Sequence, residues 1–375
     1  MKLRPAIGRW VERADRLNDW RLVRLHRWRP PGPLEIVPYL GFGTPRRLHF
    51  GGRVLRRVEH RAPQAADPAW RNLLAVYRRM ASDEVPRARV RAELGALATQ
   101  TQANDEGHFQ FTVETAAPLA PGWHEVALEL LAPLARDAEA ATATARVLVP
   151  PATARFGVVS DLDDTVIWSN VRNRLRMLTL LLRSNAYTRK PFEGVSALYR
   201  ALHQGATGGE GNPVFYVSSS PWNLYTPLLD FLRLQGIPEG PLLLKDFGSE
   251  LLFAPTNHAA HKLRHIEQVL DAYPALPFLL VGDSGEQDPE IYAEAARTHP
   301  GRVRAIYIRS VDPDPARHAA VQRIADDLQR AGVAMRLVDD SAAAALHAAQ
   351  SGWISAQALE EVRADKRLED MAPRA

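Results

Sequence analysis

The chain contains no cysteine in its 375 residues. Disulfides, thiolate nucleophiles, zinc–cysteine centres and iron–sulfur ligation are thereby excluded together. Lysine is scarce: only Lys2, Lys190, Lys245, Lys262 and Lys366 occur among 47 basic residues, and the rest are arginine. A guanidinium cannot replace a compact ammonium in a tight site, so a lysine in an interior segment invites a functional question. No apolar run is long enough to span a bilayer, and the first residues lack the apolar stretch of a secretory signal. The expectation is a cytoplasmic protein.

What is present describes an ordinary folded chain. Hydrophobic residues make up 46% and charged residues 24%, and the length suits two domains rather than one core. The net charge of +4 is local. Residues 1–31 carry nine Lys/Arg against three acids, so the other 344 residues sum to −2. That distribution argues against a nucleic-acid binder and for a basic arm on a near-neutral body.

Within residues 1–31, Leu3, Ile7, Trp10, Ala14 and Leu17 alternate four and three apart and share one helical face. Arginines fill the rest, with Trp20 and Trp28 interleaved. Such an amphipathic helix suits an anionic membrane surface; it equally suits docking on the protein's own body. Pro30-Pro31-Gly32-Pro33 ends the arm.

Residues 32–150 read as a β-rich domain, a sandwich or barrel. The strands are expected at Glu35–Leu40, Arg46–Val54, Phe109–Thr115, His124–Leu130 and Ala143–Val149, with one helix at Trp70–Met80. No catalytic cluster is visible there. Pro150-Pro151 marks a boundary, and residues 151–375 change pattern. Short continuous apolar runs at Phe156–Ser160, Val214–Val217, Leu242–Leu244, Phe278–Val281, Val303–Ile308 and Ala334–Val338 are mostly separated by helix-length segments. This predicts an α/β unit with a parallel sheet covered on both faces.

Ligands of doubly wound sheets bind at the carboxyl ends of the strands. The first run is followed by Asp161-Leu162-Asp163-Asp164-Thr165, the second by Ser218-Ser219-Ser220-Pro221, and the fourth by Gly282-Asp283-Ser284-Gly285-Glu286-Gln287-Asp288. Carboxylates gathered on one edge repel, and a divalent cation relieves that cost. An all-oxygen donor set without cysteine selects a hard ion, and Mg²⁺ with a phosphorylated substrate fits best.

The pattern Asp-x-Asp-x-Thr after a strand, a serine after a second strand, a lysine, and Gly-Asp-x-x-x-x-Asp resembles the haloacid-dehalogenase-type (HAD) phosphatases. The narrower text is Ser-Asp-Leu-Asp-Asp-Thr-Val at 160–166, Tyr-Val-Ser-Ser-Ser-Pro-Trp-Asn-Leu-Tyr at 216–225, His-Lys at 261–262 and Gly-Asp-Ser-Gly-Glu-Gln-Asp-Pro-Glu-Ile-Tyr at 282–292. It resembles the catalytic domain of the actin-patch-associated phosphatidate phosphatases and their bacterial relatives.

The resemblance implies a HAD-like Rossmannoid sheet with a small helical cap, and Mg²⁺ as cofactor. It implies that Asp161 is the nucleophile forming an aspartyl-phosphate and Asp163 the general acid and base. It further implies that Asp161, Asp163 (through its backbone carbonyl), Asp283 and Asp288 form the metal set, with Asp288 acting directly or through water. Lys262 would neutralise nucleophile and phosphoryl group, and Thr165 would hold the loop. Ser218, the first residue past its strand, is favoured for phosphoryl binding, with Ser219 and Ser220 as alternatives. Lys245 rivals Lys262.

In that superfamily, insertions after the first motif form the cap. Here the insertion is short, about residues 168–189, and an open cleft is expected. Its leucines, flanked by Arg172, Arg174, Arg176 and Arg183, fit either a bilayer-dipping helix or a cap helix packed on the core. The implied reaction is phosphatidate to diacylglycerol, in lipid metabolism, with peripheral attachment to the inner face of a membrane. A soluble phosphomonoester or a phosphoprotein is the alternative substrate, and a non-catalytic membrane or protein adaptor the alternative role.

Overall fold

The computed structural model describes residues 33–56, 84–134, 140–162, 165–166, 194–245 and 258–371. The basic arm, the expected helix at Trp70–Met80, Asp163 and the expected cap lie outside the described residues.

The N-terminal part is one eight-stranded sheet built from β1 (Leu34–Pro38), β2 (Gly41–Gly43), β3 (Arg47–Arg56), β4 (Arg89–Leu94), β5 (Leu97–Gln102), β6 (His108–Glu114), β7 (Gly122–Ala132) and β8 (Thr142–Val149). The order is β1-β3-β2-β8-β7-β4-β5, with β6 paired to β3. Pairing is antiparallel except between β2 and β8, which run parallel. Side chains alternate as a one-sided sheet requires: Phe109, Phe111 and Val113 of β6 are buried, whereas Gln110, Thr112 and Glu114 face solvent. One core, including Leu48, Val54, Val90, Phe109, Leu128 and Val147, lies inside. Three strands escaped the sequence reading. β2 is three residues long, while β4 and β5 are rich in Arg, Thr and Gln and lack an apolar run.

The second part holds a six-stranded, all-parallel sheet of β9 (Gly157–Ser160), β10 (Val214–Pro221), β11 (Leu242–Lys245), β12 (Phe278–Asp283), β13 (Val303–Arg309) and β14 (Ala334–Val338). Its order is β11-β10-β9-β12-β13-β14. Successive residues point to opposite faces, so each apolar run serves two cores. Val158, Tyr216 and Leu279 join one core; Val159, Phe215 and Leu280 join the other. The first core is covered by α1 (Val195–Gln204), α2 (Tyr225–Leu234), α6 (Ser341–Gln350) and α7 (Ala356–Met371). The second is covered by α3 (His258–Ala272), α4 (Asp288–Thr298) and α5 (Pro315–Arg330). Helix starts follow local chemistry. Asp314 caps Ala316 N–H at 2.9 Å ahead of Pro315, and Asp340 caps Ala343 N–H at 2.8 Å. Among the described residues no helix is long and apolar enough to cross a membrane.

The two sheets share a tight junction. Phe42 of β2 packs edge-on to Phe215 of β10 at 5.6 Å between ring centroids. Tyr39 stacks on Trp222 at 4.1 Å, and Leu40 N–H donates to Tyr225 Oη at 2.7 Å. Tyr273 Oη donates to Gly43 O at 3.2 Å, and Arg146 meets Glu239 at 2.7 Å.

Candidate active site

β9 lies between β10 and β12. The chain order reverses there, which makes the carboxyl end of β9 the topological switch point where open α/β sheets bind ligands. Asp161 is the first residue past β9, and its N–H donates to Val281 O of β12 at 2.9 Å. The preceding Ser160 donates to Asp161 O at 2.6 Å and meets the Tyr199 hydroxyl of α1. The backbone at Asp161 is therefore held from both sides.

Asp283 ends β12, and Asp288 opens α4 five residues later. The carboxylates of Asp161, Asp283 and Asp288 each place an oxygen within 4.8 Å of the others. All three are essentially buried. Asp283 Oδ1 accepts from Gly285 N–H at 2.6 Å and Glu286 N–H at 3.1 Å, so the loop closes on the carboxylate. Asp288 Oδ2 accepts from Asp283 N–H at 3.2 Å. Gly282 permits this approach: a Cβ there would overlap Asp288 Oδ2 and come within 2.8 Å of the Tyr292 ring.

Lys262, on α3 and 2% exposed, reaches into the cluster. Its Nζ is 2.8 Å from Asp161 Oδ1 and pairs with Asp288 Oδ1. Burial opposes its charge, but Asp161 and Asp288 more than compensate and hold its pKa well above the ordinary lysine value. Burial pushes Asp283 up to about 8, with Asp288 adding repulsion and Lys262 opposing. Burial raises Asp288 too, against the pull of Lys262.

The donor set fits a hard divalent cation. Three carboxylates against one ammonium leave a formal charge of −2. Among the described residues, the buried Asp283 Oδ2 has no hydrogen-bond partner, an unusual state for a buried carboxylate oxygen. All the candidate ligands are oxygens.

The serine run differs from the sequence expectation. β10 does not stop at Val217 but continues through Ser218-Ser219-Ser220 to Pro221, so Ser218 is not the first residue past the strand. The pairing with β11 breaks between Val217 and Pro221, which frees the segment for an irregular course. Ser218 Oγ accepts from Ser220 N–H at 2.9 Å; both residues are buried, and Ser219 is half-buried. Lys245 lies at the end of β11, paired in register with Pro221, whereas Lys262 touches the carboxylates directly. Thr165 is buried near Asp161 in sequence, and its hydroxyl finds no partner among the described residues.

Sequence reasoning missed the brace behind this edge. Arg317 of α5 donates to Ser284 O at 2.8 Å and Glu286 O at 2.7 Å, and pairs with Glu290. Nothing in the sequence singles it out among so many arginines. The glycine before Asp283 was a usable signal, because a close backbone approach often needs one.

Residues 156–310 match the family model described as "Phosphatidate phosphatase APP1, catalytic domain". This stretch resembles that catalytic domain. Over 155 residues, 41% of this chain and 26% of the relative, it is 34% identical to Phosphatidate phosphatase APP1 of Saccharomyces cerevisiae. It is also 34% identical over 164 residues to an uncharacterised protein of Schizosaccharomyces pombe, covering 42% of this chain and 26% of that one. The chain thus spans about a quarter of the length of these curated relatives. A carbohydrate acetylesterase from Xanthomonas citri superposes over 78% of this chain and 72% of its own, with a TM-score of 0.27 and 10% identity. That likeness is too low to bear on fold or function.

Proposed function

We propose that this chain is a Mg²⁺-dependent phosphatase of the haloacid-dehalogenase type that converts phosphatidate to diacylglycerol and inorganic phosphate. The observation that carries the proposal is the meeting of Asp161, Asp283, Asp288 and Lys262 at the switch point of the parallel sheet. The similarity of residues 156–310 to a phosphatidate phosphatase catalytic domain supports the choice of substrate.

The Asp161 carboxylate attacks phosphorus as the bond to the leaving oxygen breaks, giving an aspartyl-phosphate. Asp163 supplies the proton that the leaving oxygen takes. A water then gives its proton to the Asp163 carboxylate and attacks the same phosphorus, which releases phosphate and restores Asp161. Lys262 pairs with Asp161 and offsets charge on the phosphoryl oxygens. Ser218 and Ser219 would donate to those oxygens, and Thr165 would hold the nucleophile loop. Asp161, Asp283, Asp288 and the Asp163 carbonyl would hold Mg²⁺, which when bound supplies further positive charge to the phosphoryl group. The lipid substrate calls for peripheral attachment at an anionic membrane surface.

The test is phosphate release from phosphatidate in phosphatidylcholine vesicles and from a water-soluble phosphate ester, with and without EDTA. Turnover on vesicles that EDTA abolishes and that Asp161→Asn lowers by roughly a thousandfold or more is the expected result. Turnover of the soluble ester alone replaces the lipid with a soluble substrate. Wild-type protein inert on both overturns the catalytic reading in favour of an adaptor. Co-sedimentation with the vesicles checks the membrane attachment separately.

A further inference from the structure

The serine run at the catalytic edge is not anchored by its own sheet alone. Its pairing to β11 lapses between Val217 and Pro221, so the segment that follows bears on how Ser218–Ser220 are held. The chain just beyond it answers the question. Trp222, Asn223 and Leu224 form a single 3-10 turn, and Tyr225 begins α2. Three of these four residues are held by the N-terminal sheet. Trp222 stacks on Tyr39 with ring planes 13° apart, and Tyr225 Oη accepts from Leu40 N–H. Asn223 Oδ1 accepts from Arg53 Nη1.

Arg53 is an unusual residue for a β-sheet. It sits on β3 between Val37 of β1 and His108 of β6, and it is 5% exposed. A buried guanidinium is tolerated only when its donors are used. Here Nε donates to Glu106 O at 3.0 Å, Nη2 pairs with Glu84 and Nη1 goes to Asn223. Two donors fix the guanidinium in its own sheet, and the third leaves that sheet to grip the turn that follows the serines. The planar fork of arginine sets direction as well as strength. Beside it, burial and the Arg53 charge keep His108 neutral at ordinary pH.

We infer that Arg53 is a positioning residue for the phosphoryl-binding serines, acting through Asn223, so that the N-terminal sheet forms part of the catalytic architecture. The inference rests on the phosphatase reading above. A hydrogen bond that aims at a phosphoryl oxygen loses much of its worth when its donor shifts by about 1 Å. Loss of the Arg53–Asn223 contact therefore weakens substrate and phosphate binding, while the acidic cluster at the ends of β9 and β12 and the start of α4 keeps its geometry.

The experiment uses the full chain and compares wild type with Asn223→Ala, Arg53→Met and the double variant. Steady-state kinetics and calorimetric binding of inorganic phosphate in Mg²⁺ are measured, with thermal melting as a fold control. Asn223→Ala, the milder change, keeps the test open if Arg53→Met folds poorly. The expected result is a rise in KM and in the phosphate Kd of about tenfold, with the apparent Mg²⁺ affinity unchanged. The double variant should be no worse than either single one, because both remove one contact. A lowered melting temperature with unchanged KM and phosphate Kd assigns the contact to stability alone and overturns the inference. An active wild type with fully additive variants overturns it as well, whereas a wild type without turnover or phosphate binding overturns the phosphatase reading together with it.

Discussion

The two sheets use the same alternation of side chains for opposite ends. In the N-terminal sheet β4 and β6 bury one side and wet the other, so their polar residues meet water along the strand. In the parallel sheet β9, β11 and β12 are buried from end to end. Polar groups are excluded from their lengths and concentrate at the carboxyl ends. There they are buried, close together and only partly satisfied: three carboxylates, one lysine and a carboxylate oxygen without a described partner. The difference teaches where chemistry is affordable. A solvated sheet face screens its charges and gives them little strength, while a dry strand end gives them strength and demands compensation.

The largest effect that would sharpen this contrast is at Lys262. Lys262→Met keeps the length of the side chain and removes the cation between Asp161 and Asp288. Turnover should fall by about a hundredfold or more, read as phosphate release. Two buried carboxylates are left uncompensated, and in EDTA the chain should lose about 3–5 kcal/mol of stability. Mg²⁺ should return part of that loss, so the melting temperature gap between Mg²⁺ and EDTA should be wider in the variant than in wild type. An equal gap in both would deny the cluster its role as a cation site.

A matched pair of smaller insults comes next. Leu128→Ala empties space in the N-terminal core, where Leu128 is 1% exposed, and should cost about 2–5 kcal/mol. Gly282→Ala drives a Cβ against Asp288 and the Tyr292 ring and should cost about 1–3 kcal/mol. If chemistry is confined to the parallel edge, the ranking reverses for activity. The folded fraction of Leu128→Ala keeps its turnover number, while that of Gly282→Ala loses it and needs more Mg²⁺ for half-maximal rate. Chemical denaturation gives the first ranking and magnesium titration of the rate gives the second.

Much of the parallel sheet was legible because burial on both faces leaves uninterrupted apolar runs. All six runs correspond to strands within a residue or two, except that β10 extends through the serines. Ser218-Ser219-Ser220-Pro221 looks like a loop in sequence, since neither the serines nor the proline favours a strand. It is carried as a continuation of β10 on an irregular edge beside β11. In the antiparallel sheet, β4 and β5 were illegible for the converse reason: Arg89, Arg91 and Glu93 alternate with smaller apolar residues and give no run. At the site, Asp161, Asp283 and Asp288 could be read because each follows or closes a strand end. The sequence favours Lys262 over its rival Lys245 on the His-Lys context alone, and the packing of α3 brings the Lys262 ammonium to Asp161. Arg53 was hidden, one arginine in a chain that uses arginine everywhere.

The smallest effect tests the junction between the two sheets through pH. His108 lies beside Arg53, near Tyr39 Oη at 3.4 Å and close to the Trp222 ring. Burial, and then the positive charge of Arg53, lower its pKa to about 3. The ordinary histidine value is near 6.5 in an unfolded chain. Between those values the unfolded chain binds a proton that the folded chain refuses, so stability rises with pH across this window and is lost as pH falls from about 6.5 toward 3. His108→Gln keeps a polar side chain of similar reach but cannot titrate. Its melting temperature should fall less steeply than that of wild type between pH 6.5 and 4, by a few degrees over the interval. Carboxylates titrate equally in both proteins and cancel in the comparison. Parallel curves would mean that His108 is protonated without disturbing its neighbours, and the junction would then be more open to water than its packing indicates.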